Sequence, residues 1–250
     1  MGVPVIGCEC DVCRSDTGFN KRLRPSGLIQ VKEKNFVIDT GPDFRYQALK
    51  HCIDQLHGIL LTHTHNDHVA GVDDLRIYFL REKKKIPCLL SEDTLQDLRV
   101  RYHYLLHPKK ESIKVSSQFH FHALKEDYGQ ISFEGMKVGY VSFYQAGMKV
   151  TGFCFKDFAY LTDIHTYSEE IFTYLGGIRT LVISAPRWKS SPVHFSLEEA
   201  IAFAEKIGAK QTYFTHIAHE LDHETTNEKL PKGFQLGYDG LEFDVEIEEV

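Results

Sequence analysis

The run LLTHTHNDHVAG at residues 60–71 sets three histidines and an aspartate into six positions directly behind an apolar stretch. An apolar segment that stops in imidazoles reads as a strand opening into a loop. His63 and His65, two residues apart, can point to the same side there, so that one cation takes both. Asp67 and His68 follow where a helix begins, and the turn can aim them at a second cation beside the first. The bland alternative is a solvent-exposed, histidine-rich turn. The H-x-H-x-D-H spacing argues against it, and so do other strand ends of the chain.

Candidate strands are GLIQVKEKNFVIDTG, a hairpin turning at residues 32–34, then GILLTH, PCLL, QFHFHAL, KVGYVSFY, GFCFKDFAYLTD, TLVIS and QTYFTH. Helical periodicity falls at 42–50, 67–80, 92–105, 168–175, 196–207 and 218–229. The clearest helix, HFSLEEAIAFAEKIG, has Ser196 as its N-cap, Glu199 three residues on and Gly208 as its stop. Four strands finish in a metal-capable residue: Asp39 in VIDTG, His63 in LLTHTH, Asp163 in YLTD and His216 in YFTH. A ligand at such a point is held by a rigid sheet yet faces an open cleft. Early hairpins and a later alternation of helix and strand predict a layered α/β fold. With 250 residues and no repeat, low-complexity tract or Pro/Gly-rich linker, a single domain over 1–250 is expected.

Three thiols, Cys8, Cys10 and Cys13, sit together in CECDVC, whereas Cys52, Cys88 and Cys154 are isolated and read as small apolar residues. The opening MGVPVIGCEC has neither the charged nor the apolar region of a signal peptide, so a cytoplasmic location is expected, where clustered thiols bind metal rather than pair. The C-x-C-x-x-C spacing still lacks the fourth ligand that a closed tetrahedral zinc site needs. No membrane span is expected, and a net charge of −6 argues against nucleic acid as a partner. The basic stretches REKKKIP at 81–87 and HPKKESIK at 107–114 read as solvated faces.

With these motifs in view, the sequence resembles the metallo-β-lactamase-fold hydrolases, and more narrowly the phosphoribosyl cyclic phosphodiesterase (PhnP-like) subfamily. The likeness runs through GVPVIGCECDVC, RLRPSGLIQ, FVIDTGPDFR, LLTHTHNDHVAGVDDLR, YLTD, HFSLEEA, FTHIAHELDH and LPKGFQLGYDGLEF. It implies a four-layered αββα sandwich with two catalytic divalent metals, zinc or manganese. It assigns His63 and His65 to the first metal, Asp67, His68 and His216 to the second, and Asp163 to both as a bridging carboxylate. Asp39 would orient a ligand histidine. A separate structural zinc would be held by Cys8, Cys10, Cys13 and His219. Asp67 and His194 are the catalytic residues the resemblance implies, with His194 presented to the phosphate. Arg187 and Lys189 lie near it in sequence and add positive charge.

The chain departs from the family twice. Relatives carry a further strand ahead of GVP, so a first N-terminal strand is expected to be missing. Where relatives place the last histidine of the first metal, this chain has Gln145, whose amide oxygen is a weaker ligand for zinc than imidazole and better suited to manganese or magnesium. The first site is therefore expected to be weak, with His165 as a candidate surrogate. The expected activity is hydrolysis of a small, open or cyclic phosphodiester by a metal-bridged hydroxide. The alternatives are a thioester or lactone hydrolase, and a metal-binding protein whose first site has decayed. A homodimer is the assembly left open.

Overall fold

A computed structural model of the chain describes residues 2–106 and 118–250, so the basic stretch HPKKESIK lies outside the described residues. Two compact units make up the chain, one spanning Arg24–Glu126 and the other Met1–Leu23 with Asp127–Val250. Each has one sheet. No helix among the described residues is long and apolar enough to cross a membrane.

The Arg24–Glu126 unit carries β1 (Gly27–Val31), β2 (Lys34–Ile38), β3 (Gly58–Leu60), β4 (Ile86–Ser91) and β5 (Phe119–Leu124), side by side in chain order. The first pair is the expected hairpin, with Lys32 at its tip in the left-handed region at φ 54°. From β2 onward all pairs are parallel. Parallel strands are covered on both faces, which is why β3 and most of β4 are continuous apolar runs. Val37, Ile59, Leu61, Leu75, Cys88 and Leu90 form the heart of the core. The periodicity at 92–105 splits into the helices Glu92–Arg101 and His103–Leu106, the first capped by the Ser91 hydroxyl, which accepts from Thr94 N at 3.1 Å.

The second unit adds β6 (Tyr128–Phe133), β7 (Met136–Gln145), β8 (Met148–Phe155), β9 (Phe158–Leu161), β10 (Thr180–Ser184), β11 (Gln211–Thr215) and β12 (Phe234–Leu236), ordered β12-β11-β10-β9-β8-β7-β6. The meander β6 to β9 is antiparallel and the pairs from β9 to β12 are parallel. By parity β7, β9, β10 and β11 run in one direction and end on one edge of the sheet. GFCFKDFAYLTD, read as one strand, instead folds back on itself at Lys156, whose φ of 49° starts the turn. The expected helix at 196–207 is present as Leu197–Ile207, with the Ser196/Glu199 capping box formed and Gly208 at φ 83°.

Candidate metal centre

In the Arg24–Glu126 unit the H-x-H-x-D-H segment leaves β3 and enters a one-turn helix at Asn66–Val69. Asp39, at the end of the adjacent β2, is fully buried, and its two oxygens organise the histidines. Oδ1 accepts from Thr62 N at 2.8 Å; Oδ2 accepts from Thr62 Oγ1 at 2.7 Å and from His68 Nδ1 at 2.6 Å. A carboxylate only accepts, so His68 carries its proton on Nδ1 and keeps the lone pair on Nε2. The single hydroxyl hydrogen of Thr62 is committed to Asp39, so its oxygen accepts from His63 Nδ1 at 2.9 Å. His63 therefore also presents Nε2. The two rings lie 4.2 Å apart between centroids, and His65 lies 4.8 Å from His63.

Further contacts hold this segment. Thr64, between the two imidazoles, donates its hydroxyl to Asp97, and its carbonyl accepts from Arg101 Nη1 at 2.9 Å; Arg101 and Asp97 also pair with each other at 2.9 Å. On the other side Thr40 N donates to His68 O at 2.7 Å, and a Cβ placed on Gly41 would lie 2.2 Å from Asp67 O. Only glycine permits that approach. Gly41→Ala is expected to destabilise the fold by about 1–3 kcal/mol through backbone displacement, read as a lower urea midpoint at unchanged slope. An unchanged midpoint would show that the loop gives way freely.

The second unit gathers Gln145, Asp163 and His216 at the common carboxyl edge of β7, β9 and β11, with His194 reaching them from the loop before the helix Leu197–Ile207. Asp163 is buried. Its Oδ1 accepts from Gln145 Nε2 at 2.9 Å and its Oδ2 from Thr162 Oγ1 at 2.6 Å, while its backbone N donates to Ser184 Oγ at 2.7 Å. His194 Nδ1 and His216 Nε2 stand 3.4 and 3.5 Å from Asp163 Oδ1. Three of the four strand-end residues, Asp39, Asp163 and His216, have φ of 60°, 59° and 57°. Non-glycine residues held there cost ~1–3 kcal/mol each, strain that concentrates at functional positions.

In the same unit Cys8, Cys10 and Cys13 converge on His219 Nδ1 at 3.2, 3.5 and 3.6 Å. Sulfur bound at ~2.3 Å and nitrogen bound at ~2.0–2.1 Å to one tetrahedral ion sit about 3.5 Å apart. The donor set fits such an ion. The Cys10 thiol is lowered to about 6, chiefly by the backbone N–H of Cys13, so it is a thiolate near neutrality, whereas burial raises Cys13. Arg22 is buried beside this cluster and ties the N-terminal segment to the histidine-bearing loop. Its Nη1 donates to Ala218 O at 2.8 Å, and its Nη2 to Leu221 O at 2.7 Å and Asn20 Oδ1 at 3.0 Å.

Gln145 turns its amide nitrogen, not its oxygen, to Asp163 and His194; the buried Oε1 accepts no hydrogen bond among the described residues. No set of metal-capable side chains among the described residues includes His165. Lys189 is exposed, and the Arg187 carbonyl accepts from Leu197 N at 2.9 Å at the start of the helix Leu197–Ile207. The residues that position the candidate ligands, Thr62, Thr64, Asp97, Arg101, Arg22 and Ser184, were not foreseen. For Thr62 and Thr64 a signal existed, since a hydroxyl precedes each histidine in LLTHTH.

The family model described as the Beta-lactamase superfamily domain matches residues 34–217. Among solved structures, a new diphosphatase from the PhnP family is 37% identical with a TM-score of 0.90, covering 100% of this chain and 95% of that one. Zn(2+)-bound PqqB from Methylobacterium extorquens is 18% identical with a TM-score of 0.72, covering 98% and 96%, a likeness of fold. A curated relative named Octanoyltransferase, from Porphyromonas gingivalis, is 35% identical over 245 residues. That match takes in 96% of this chain, which spans about half, 49%, of the relative's length.

Proposed function

The chain belongs to the β-lactamase superfamily, as a hydrolase of the metallo-β-lactamase fold in the PhnP family, and from that premise we propose that it is a metal-dependent phosphodiesterase acting on a small open or cyclic phosphodiester. The end-to-end likeness to the diphosphatase carries this reading. In it, His63 and His65 serve one cation, Asp67, His68 and His216 a second, and Asp163 both; Cys8, Cys10, Cys13 and His219 hold a structural zinc. The bound divalent cations, zinc or manganese, supply Lewis acidity toward phosphoryl oxygens and a water acidified toward neutrality. The protein's own contribution is orientation. Asp39 and Thr62 fix the tautomers of His68 and His63, Thr64 is pinned through Asp97 and Arg101, and Gln145 steadies Asp163. A small-molecule substrate agrees with the net charge of −6, and neither membrane nor nucleic acid is needed as a partner.

A second reading, hydrolysis of an acyl thioester, is favoured by one observation, the relative named Octanoyltransferase. As much chain again lies outside the match in that protein, where the named activity has room to reside. The two readings separate when protein purified without chelator is supplemented with Mn²⁺ and given bis(p-nitrophenyl) phosphate or octanoyl-coenzyme A. Turnover of the phosphodiester is expected. Thioester cleavage without phosphodiester cleavage would replace the first reading by the second.

A further inference from the structure

The cluster at the carboxyl edge of the seven-stranded sheet contains a donor set of its own. We propose that Asp163, His194 and His216 form a 2-His-1-carboxylate set on one cation, so that His194 is a ligand of the centre and Gln145 is not. The inference rests on the metal-dependent reading and deepens it, moving His194 from a contact with substrate to a ligand.

Spacing is the first argument. One ligand atom from each of the three residues lies within 4.8 Å of the others, and the two rings are 5.2 Å apart between centroids. The separations from Asp163 Oδ1, 3.4 Å to His194 Nδ1 and 3.5 Å to His216 Nε2, are too long for charge-assisted hydrogen bonds, which run ~2.7–2.9 Å. Two donors bound at ~2.0–2.1 Å to one tetrahedral ion sit about 3.3 Å apart, close to the spacing observed. Two imidazoles and a carboxylate are also a set that holds catalytic cations with positions left open.

Gln145 supplies the second argument. It is 2% exposed, its Nε2 donates to Asp163 Oδ1 at 2.9 Å and lies 3.1 Å from either ring nitrogen of His194, and its Oε1 accepts nothing among the described residues. An N–H is no ligand. In this orientation Gln145 is a positioning residue that holds the carboxylate and the imidazole side by side. The backbone puts His194 there as well. Phe195 N donates to Ile164 O at 3.3 Å, next to Asp163 in sequence, and Ser191 closes the loop by accepting from His194 N at 3.0 Å and donating to His194 O at 3.1 Å.

The test is titration with Mn²⁺, read by the electron paramagnetic resonance of the free ion. Manganese prefers nitrogen and oxygen donors, so the thiolate cluster stays silent. His194→Ala should weaken the tighter Mn²⁺ site at least ~10-fold. His194→Asp should recover most of the affinity, since a carboxylate is a good manganese ligand, which separates a lost ligand from a misfolded loop. Unchanged Mn²⁺ affinity in His194→Ala would overturn the site. A protein that behaves as expected here yet cleaves no phosphodiester would sink the phosphodiesterase reading and leave the site standing.

Discussion

Asp163→Asn is expected to lower Mn²⁺-supported phosphodiester hydrolysis at least ~100-fold, about 2.7 kcal/mol of transition-state stabilisation, with the fold retained. Asparagine is the informative substitution because it changes charge and little else. Asp163 sits at φ 59°, where asparagine is among the few side chains that rest without added strain. It is also the same size in a site only 1% exposed, so no cavity opens. One amide face must meet either the Gln145 nitrogen or the Thr162 hydroxyl, both of which now donate to the carboxylate, and that mismatch costs about 1–3 kcal/mol of stability. Circular dichroism melts alongside initial rates check both halves of the expectation. A variant that keeps a tenth or more of the wild-type rate would remove Asp163 from the proposed centre.

The strand-end residues of the candidate centre were legible because each is the point where an apolar run stops, and a run's end is visible in one dimension. The H-x-H-x-D-H segment, Asp39, Asp163 and His216 could all be singled out in that way, and so could the Cys8, Cys10, Cys13 cluster by its spacing. The direction in which a side chain presents its atoms is not visible there. Gln145 could be weighed as an oxygen ligand, and only its placement in β7 beside Asp163 and His194 reveals that the nitrogen faces them.

The strands that escaped notice have local reasons. β6, YGQISF, breaks the apolar pattern with Gly129, which lies under the Tyr140 ring, where a Cβ would stand 2.6 Å from the hydroxyl; a partner strand compensates for what the sequence lacks. β12 is three residues long, too short to leave a period. The turn inside GFCFKDFAYLTD was hidden because Lys156 takes a left-handed conformation that lysine seldom signals.

Cys10→Ser is expected to remove one zinc per chain and to lower the melting temperature by roughly 6–12 °C, the equivalent of about 3 kcal/mol for a chain of this size. Structural zinc in small peptides contributes ~10–16 kcal/mol because nothing else holds the fold. Here much else does. Arg22 crosses from the N-terminal segment to the carbonyls of Ala218 and Leu221, and Asn20 bonds both Arg22 and Asp222. Loss of the ion should therefore loosen residues 2–23 and the turn carrying His216 and His219, not melt the unit. Alkylation reads that loosening site by site. With zinc stripped at pH 7, Cys10 should react first, since its thiol is lowered to about 6 by the Cys13 backbone N–H, and Cys13 last, since burial raises it; zinc should protect both. An unchanged zinc content and melting temperature in Cys10→Ser would mean that the three sulfurs and His219 converge without a metal. Their spacing of 3.2 to 3.6 Å would then reflect hydrogen bonding between the thiols and the His219 ring.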